Sequence, residues 1–187
     1  MATTGRGRPR ASSREELADA ATELFLERGY GATSIADITR RAGVSRASFF
    51  NYFGTKSDLL WDVFDRRLAA LLAEIDTPEG SLDSGLRAFA HGESPEGLAL
   101  AIVDARTMGV EDELAVARAE RQLRIALVIE ERLLRDGETP VRAAARGGGY
   151  AAALLGAVWC WADRGAGRHD LGAEILAAVA EARALLG

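Results

Sequence analysis

The sequence predicts an all-α protein of about nine helices. Apolar residues recur at helical spacing over long stretches, as in KSDLLWDVFDRRLAALLAEI (56–75), where Leu59, Leu60, Phe64, Leu68, Leu71, Leu72 and Ile75 form one stripe. Ala, Leu, Arg and Glu dominate the composition while Ile, Thr and Tyr are few, which favours helix over strand. Gly and Pro punctuate the pattern at intervals, and nothing reads as a strand hairpin or as a glycine-rich phosphate loop after a strand.

In chain order, residues 1–12 hold Gly5, Gly7, Pro9 and alternating Arg6, Arg8 and Arg10 with no hydrophobic period, and are expected to be a flexible basic arm. Ser12 or Ser13 is expected to cap a first helix with Glu15 and Glu16 in its positive first turn. Leu17, Ala21, Leu24 and Phe25 form its inner face, and Gly29 ends it. A second helix spans about 33–42, capped by Thr33 or Ser34, with Asp37 three residues after Ser34 in the manner of a capping box and Ile35, Ile38 and Ala42 facing inward. Gly43-Val44 makes a turn, and Ser45 caps a third helix to about Phe53. Thr55, with Asp58 three residues on, caps the fourth, which Thr77-Pro78 terminates. Further helices are expected near 79–91, 95–108, 111–136, 140–164 and 170–186. This gives an arm (1–12), a helix-turn-helix domain (13–57) and a second helical domain (58–187).

Several function classes are disfavoured. The one cysteine, Cys160, excludes an internal disulfide and a multi-cysteine zinc site, and its setting in VWCWAD suggests a buried inert thiol. There is no run of 18 apolar residues and no apolar core in MATTGRGRPRASSREE, so a soluble, cytoplasmic protein is expected. His91 and His169 fall near loops without HExxH, nucleophile-elbow or paired Cys/His spacing. No catalytic residues, metal ligands or cofactor are expected. The charge is uneven: residues 1–60 hold nine Arg and Lys against seven Asp and Glu, and the remainder 14 against 21. A more basic segment joined to an acidic one hints at nucleic-acid binding by the first.

The stretch GVSRASFFNYF (43–53) supplies the chemistry. Two short helices joined by a Gly-containing turn make a helix-turn-helix, whose second helix enters the major groove and reads bases near its N-terminus. Small or hydrogen-bonding side chains are needed there, and Ser45, Arg46, Ala47 and Ser48 satisfy this, with Arg46 able to reach guanine O6/N7 or a phosphate. Phe49 and Phe53, four apart, share a face that packs on Leu24, Ile35 and Ile38. Lys56, the chain's one lysine, suits a backbone point charge at a helix start. GRGRPR is similar to hooks that place arginine in narrow A·T minor grooves.

From RGYGATS through DLL the chain resembles the DNA-binding domain of the TetR family of bacterial transcriptional regulators. The resemblance rests on an aromatic-Gly after the first helix, a Thr/Ser cap, I-x-x-x-A-G-V-S, aromatic-x-Y-F and a lysine one turn later. It implies that Arg46, Ala47 and Ser48 face base edges, with Phe50 toward a thymine methyl or sugar where many relatives carry Tyr, and Asn51 beside them. It implies phosphate contacts by Thr33, Tyr52 and Lys56. It further implies a homodimer through the last two helices and a C-terminal effector site. SRASFFNYF followed by KSDLLWDVFDRRLAAL is similar to the subgroup around the mycofactocin-system regulator, which implies an acyl-CoA-like ligand. Trp61, Phe64, Leu68, Leu86, Phe89, Ile102, Met108, Leu123, Leu127, Tyr150, Leu154 and Trp159 lie on the helices expected to surround such a pocket, though a stripe of large apolar residues at helical spacing is core first and pocket lining second. Arg106, Arg121 and Arg124 are either a basic mouth or helix-surface charges paired with Asp104, Glu113 and Glu120. Gly147, Gly148, Gly149 and Gly156 inside a helix point to close packing, a kink or ligand space. The expected function is a repressor released from a palindromic operator by a small lipophilic effector. The alternatives are a dimeric ligand-binding protein without DNA activity, and an enzyme.

Overall fold

The computed structural model describes residues 10–77 and 79–186, with side chains from Ser13 onward. The described residues form ten α-helices and no strand: α1 (Arg10–Arg28), α2 (Ile35–Arg41), α3 (Arg46–Phe50), α4 (Ser57–Ile75), α5 (Leu82–Ala90), α6 (Glu96–Val103), α7 (Ala105–Met108), α8 (Glu111–Arg135), α9 (Pro140–Asp163) and α10 (Leu171–Leu186). No helix among them is long and apolar enough to cross a membrane.

Two expectations change at this level. Helix α1 already includes Arg10, so Ser12 and Ser13 lie inside it rather than capping it, and the arm does not extend to residue 12. No breaker stands between Arg10 and Gly29, and Arg14 docks this end of the helix: its Nε donates to the buried Asp62 of α4 (2.8 Å) and its guanidinium lies 5.3 Å from the Phe53 ring. Arg6 and Arg8 lie outside the described residues, as does the side chain of Arg10. The single helix expected over 95–108 is divided at Asp104 (φ −101°, ψ 22°), and left-handed Gly109 closes α7. The bend buries Met108 and Val110 completely and delivers the Met108 carbonyl to the Tyr30 amide at 2.6 Å.

The buried apolar residues form one continuous cluster, from Leu17, Phe25, Ile38, Phe49 and Phe53 through Trp61, Phe64 and Phe89 to Tyr150, Leu154 and Trp161. Aromatic rings run through its centre as Trp159–Trp61–Phe64–Phe89, with centroids 5.8, 5.3 and 5.4 Å apart in tilted or edge-to-face arrangements. Helix α4 belongs to both halves, since it carries residues packed against α1 and residues packed against α5, α6 and α8.

Two positions show why the helices fit. Gly147 of α9 lies so near α8 that a Cβ there would be 2.5 Å from the Ala126 carbonyl oxygen, so only glycine permits this approach. Gly148 and Gly156 are half-buried and meet nothing within 4 Å. Arg67 interrupts the apolar stripe of α4 and is 3% exposed. Its guanidinium donates to Phe89 O (2.9 Å), Ala90 O, Gly92 O and Glu93 O, tying the end of α5 and the turn after it to α4.

Candidate nucleic-acid interface

Local sequence builds the α2–turn–α3 unit. Ser34 caps α2 by accepting from the Asp37 amide (3.1 Å), while Asp37 accepts from the Ser34 amide (3.1 Å) and hydroxyl (2.5 Å). These hydrogen bonds from Ser34, with the Arg40 guanidinium beside them, lower the Asp37 carboxyl from 3.8 to about 2. Gly43 takes φ +68°, and the Val44 amide closes back on Thr39 O at 3.0 Å, a Schellman-type ending. Ser45 then caps α3, accepting from the Ser48 amide (3.0 Å), with the two serine hydroxyls 2.9 Å apart. Arg41 pins α2 to α1 through Glu23 (2.9 Å) and Glu27 (2.8 Å).

The aromatic residues of this stretch divide by face. Phe49 and Phe53 are 0% and 3% exposed, with rings 5.7 Å apart, and they join the core. Phe50 is 50% exposed. Ser45, Arg46, Ala47 and Asn51 are also exposed, while Ser48 and Tyr52 are half-buried, Tyr52 against Phe53. Arg46 makes no ion pair with a described residue; its guanidinium lies over the Phe50 ring, 5.6 Å from the centroid. The N-terminal part of α3 thus presents one cation, two hydroxyls and one aromatic edge on a small-residue surface.

Thr33 does not occupy the place expected of a phosphate ligand. It is 2% exposed and its hydroxyl donates inward to Gly29 O (2.9 Å) and Leu24 O (3.3 Å), ending α1. Lys56 is only partly available, because its ammonium donates to Tyr30 O (2.7 Å) and Thr33 O (2.8 Å), which leaves one donor. It also sits 4.1 Å from the Tyr30 ring centroid, and burial lowers its pKa. Burial likewise pushes the Tyr30 phenol up to about 12. Tyr30 therefore joins three segments: its amide binds α7, its carbonyl binds Lys56 and its ring packs on Phe25 at 5.0 Å. Sequence reading missed this role, although the only lysine in the chain signalled a special position.

The interior pocket expected from large apolar residues is filled. Trp61, Phe64, Leu68, Leu86, Phe89, Met108, Tyr150 and Leu154 are at most 1% exposed and pack together as core, because side chains of this size at helical spacing close on one another. Leu123 and Leu127 lie on the outer face of α8, 61% and 54% exposed, and Arg106 is exposed on α7. Ile102 and Trp159 instead border a surface cleft of about 400 Å³ with Ala105, Leu114, Arg118 and Gln122. Arg118 lies 4.2 Å over Trp159 and Arg121 4.2 Å over Trp61. Arg121 is held by Asp65 through two bonds of 2.8 and 2.6 Å, so it is no free anion ligand, and Arg124 is exposed. A second cleft, of about 460 Å³, runs along α9 and α10 and is lined by Gly149, Ala153, Gly156, Ala177 and Ala178. Cys160 borders it and is exposed, not buried; on α9 its neighbours Val158 and Trp161 take the inward positions.

Residues 17–63 match the model for bacterial regulatory proteins of the tetR family. The regulator assigned to mycofactocin biosynthesis in Mycobacterium tuberculosis is 36% identical over 70 residues, 37% of this chain and 35% of that protein. A helix-turn-helix transcriptional repressor of the same species is 43% identical over 89 residues, 42% of this chain and 47% of that protein. The chain thus spans less than half the length of these curated relatives. The crystal structure of a transcriptional regulator from Aquifex aeolicus covers 92% of this chain and 99% of its own at a TM-score of 0.51 and 17% identity, a likeness of fold.

Proposed function

We propose, from the premise that residues 17–63 belong to the tetR family of bacterial regulatory proteins, that the whole chain is a sequence-specific DNA-binding transcriptional regulator, acting as a repressor. The observation that carries this reading is the outward face of α3, where Arg46, Ala47, Phe50 and Asn51 are exposed while Phe49 and Phe53 fix the helix to the core. Arg46, Ser48 and Phe50 face base edges, and Tyr52 and the remaining Lys56 donor approach phosphate. The domain division follows the same reading, with α1–α3 as the DNA-binding unit and α4 onward as the effector and dimerisation part.

Two copies pair through α9 and α10, whose Gly- and Ala-lined groove admits close helix approach. Pairing sets two α3 helices about 34–36 Å apart, one turn of duplex DNA. The effector is a small lipophilic molecule of acyl-CoA-like character, the class implied by the resemblance of SRASFFNYF and KSDLLWDVFDRRLAAL to the mycofactocin-system subgroup. Its site is the cleft at Ile102, Ala105, Arg118 and Trp159, which offers apolar walls and a guanidinium stacked on an indole. Binding there shifts the population toward a spacing of α3 helices that no longer fits the operator.

The test is selection of bound fragments from the source genome, followed by mobility-shift titration at several salt concentrations. A recurring palindrome, binding that weakens steeply with salt, and loss on Arg46→Ala/Tyr52→Phe support the reading. Equal binding by wild type and that variant removes the assigned contacts.

A further inference from the structure

A half-exposed phenylalanine on a helix that otherwise presents small and polar side chains calls for a partner. Phe50 is not loose: its ring meets the fully buried Phe49 edge-on, with centroids 5.2 Å apart and planes at 81°. On its other side it carries the Arg46 guanidinium. The ring thus contacts both the core and a cation, and the cation comes from a residue one helical turn away. The guanidinium makes no ion pair with a described residue, so its planar fork of donors stays available for an acceptor pair.

We infer that Arg46 and Phe50 act as one reading unit for a thymine adjacent to a guanine, an inference that rests on the DNA-binding reading above. Guanine presents O6 and N7 as a paired acceptor that matches a guanidinium fork, and thymine is the base with an apolar C5 methyl in the major groove. A stacked Arg–Phe pair has its polar fork and apolar edge side by side, which suits neighbouring base pairs. Phe50 has no hydroxyl, so its contribution to base choice is an apolar contact with the methyl. The stack also limits where the guanidinium can go before DNA arrives, which lessens the side-chain entropy lost on binding.

The experiment uses the full chain and a pool of random-sequence duplexes carried through rounds of binding and sequencing. Selected half-sites are expected to contain the thymine–guanine step. Three duplexes are then compared: the selected one, one with that thymine replaced by uracil, and one with that guanine replaced by 7-deazaguanine. Loss of the methyl is expected to weaken wild-type binding about fourfold, the worth of one buried CH₂ group. Loss of N7 is expected to weaken it about tenfold. Phe50→Ala, with Phe50→Leu as the variant that keeps apolar bulk, is expected to bind the thymine and uracil duplexes equally in the Ala case and to retain part of the difference in the Leu case. Arg46→Ala and Phe50→Ala are expected to be non-additive, because each removes the other's stacking partner. Thermal unfolding of each variant reports whether α3 has stayed folded. Equal wild-type affinity for thymine and uracil duplexes, or strict additivity of the two substitutions in folded protein, overturns the inference while leaving the regulator reading intact. Failure of the wild-type chain to select any sequence overturns both.

Discussion

Asp37 shows how a single side chain sets the entry to the helix-turn-helix. Its carboxyl titrates at about 2 because the charged form accepts from Ser34 and lies beside Arg40. The folded value is below the ordinary 3.8, so the carboxylate's contribution to stability is complete above about pH 4. It is lost as pH falls from there toward 2. Acid unfolding of wild type and Asp37→Asn should therefore differ at pH 6 and converge near pH 2; curves separated by a constant amount would place the effect elsewhere. Ser34→Ala removes the other half of the box and is expected to cost about 1 kcal/mol in urea unfolding. Lys56 presents a different case. Its two carbonyl bonds tie the loop after α1 to the start of α4, so Lys56→Met is expected to destabilise the chain by about 2 kcal/mol as well as to weaken DNA binding. A variant with weaker binding at unchanged stability would mean that the ammonium acts on phosphate alone.

Elements are joined by groups that their own sequences do not announce. The end of α5 depends on Arg67 from α4, whose guanidinium reaches four carbonyls. Arg67→Met leaves these acceptors without their donor and is expected to cost about 3 kcal/mol or more, measurable as a fall in the urea midpoint. Faster hydrogen exchange centred on residues 89–93 would locate the damage. The α8–α9 contact has the opposite requirement, since at Gly147 it needs the absence of a side chain. Gly147→Ala normally gains helix propensity, yet here the methyl meets the Ala126 carbonyl, and a net loss of about 1–3 kcal/mol is expected. Gly148→Ala, with open space around it, is the control, and it should stabilise by a few tenths of a kcal/mol up to about 1 kcal/mol.

At the scale of the whole molecule, the core is continuous from the helix-turn-helix to α10, so α3 is not carried on a loosely tethered module. The Met108–Tyr30–Lys56 hydrogen bonds add a polar junction between α7, the loop after α1 and the start of α4. The proposed pairing through α9 and α10 predicts that Ala177→Glu, placed in the small-residue groove, halves the mass measured by sedimentation and lowers affinity for a full palindrome far more than for a half-site. Unchanged mass would move the subunit contact to another face.

The sequence alone carried the all-helical class, the helix breaks at Gly29, Gly43, Gly109 and Gly137, the Ser45 cap and the division of GVSRASFFNYF into a buried and an exposed face. Each of these is local: a 3.6-residue period, a cap or a left-handed glycine acts within a few positions of itself. The roles of Thr33, Lys56, Arg67 and Cys160, and the break at Asp104, were decided by tertiary structure. Thr33 turns inward because α1 ends beside it, and Lys56 is occupied because a loop 23–26 residues earlier in the chain folds across it. The same holds for the expected pocket: composition identifies large apolar side chains, but whether they enclose space or fill it depends on how closely helices distant in sequence approach, and here Gly147 lets α8 and α9 come together while Gly149 meets Leu186 of α10.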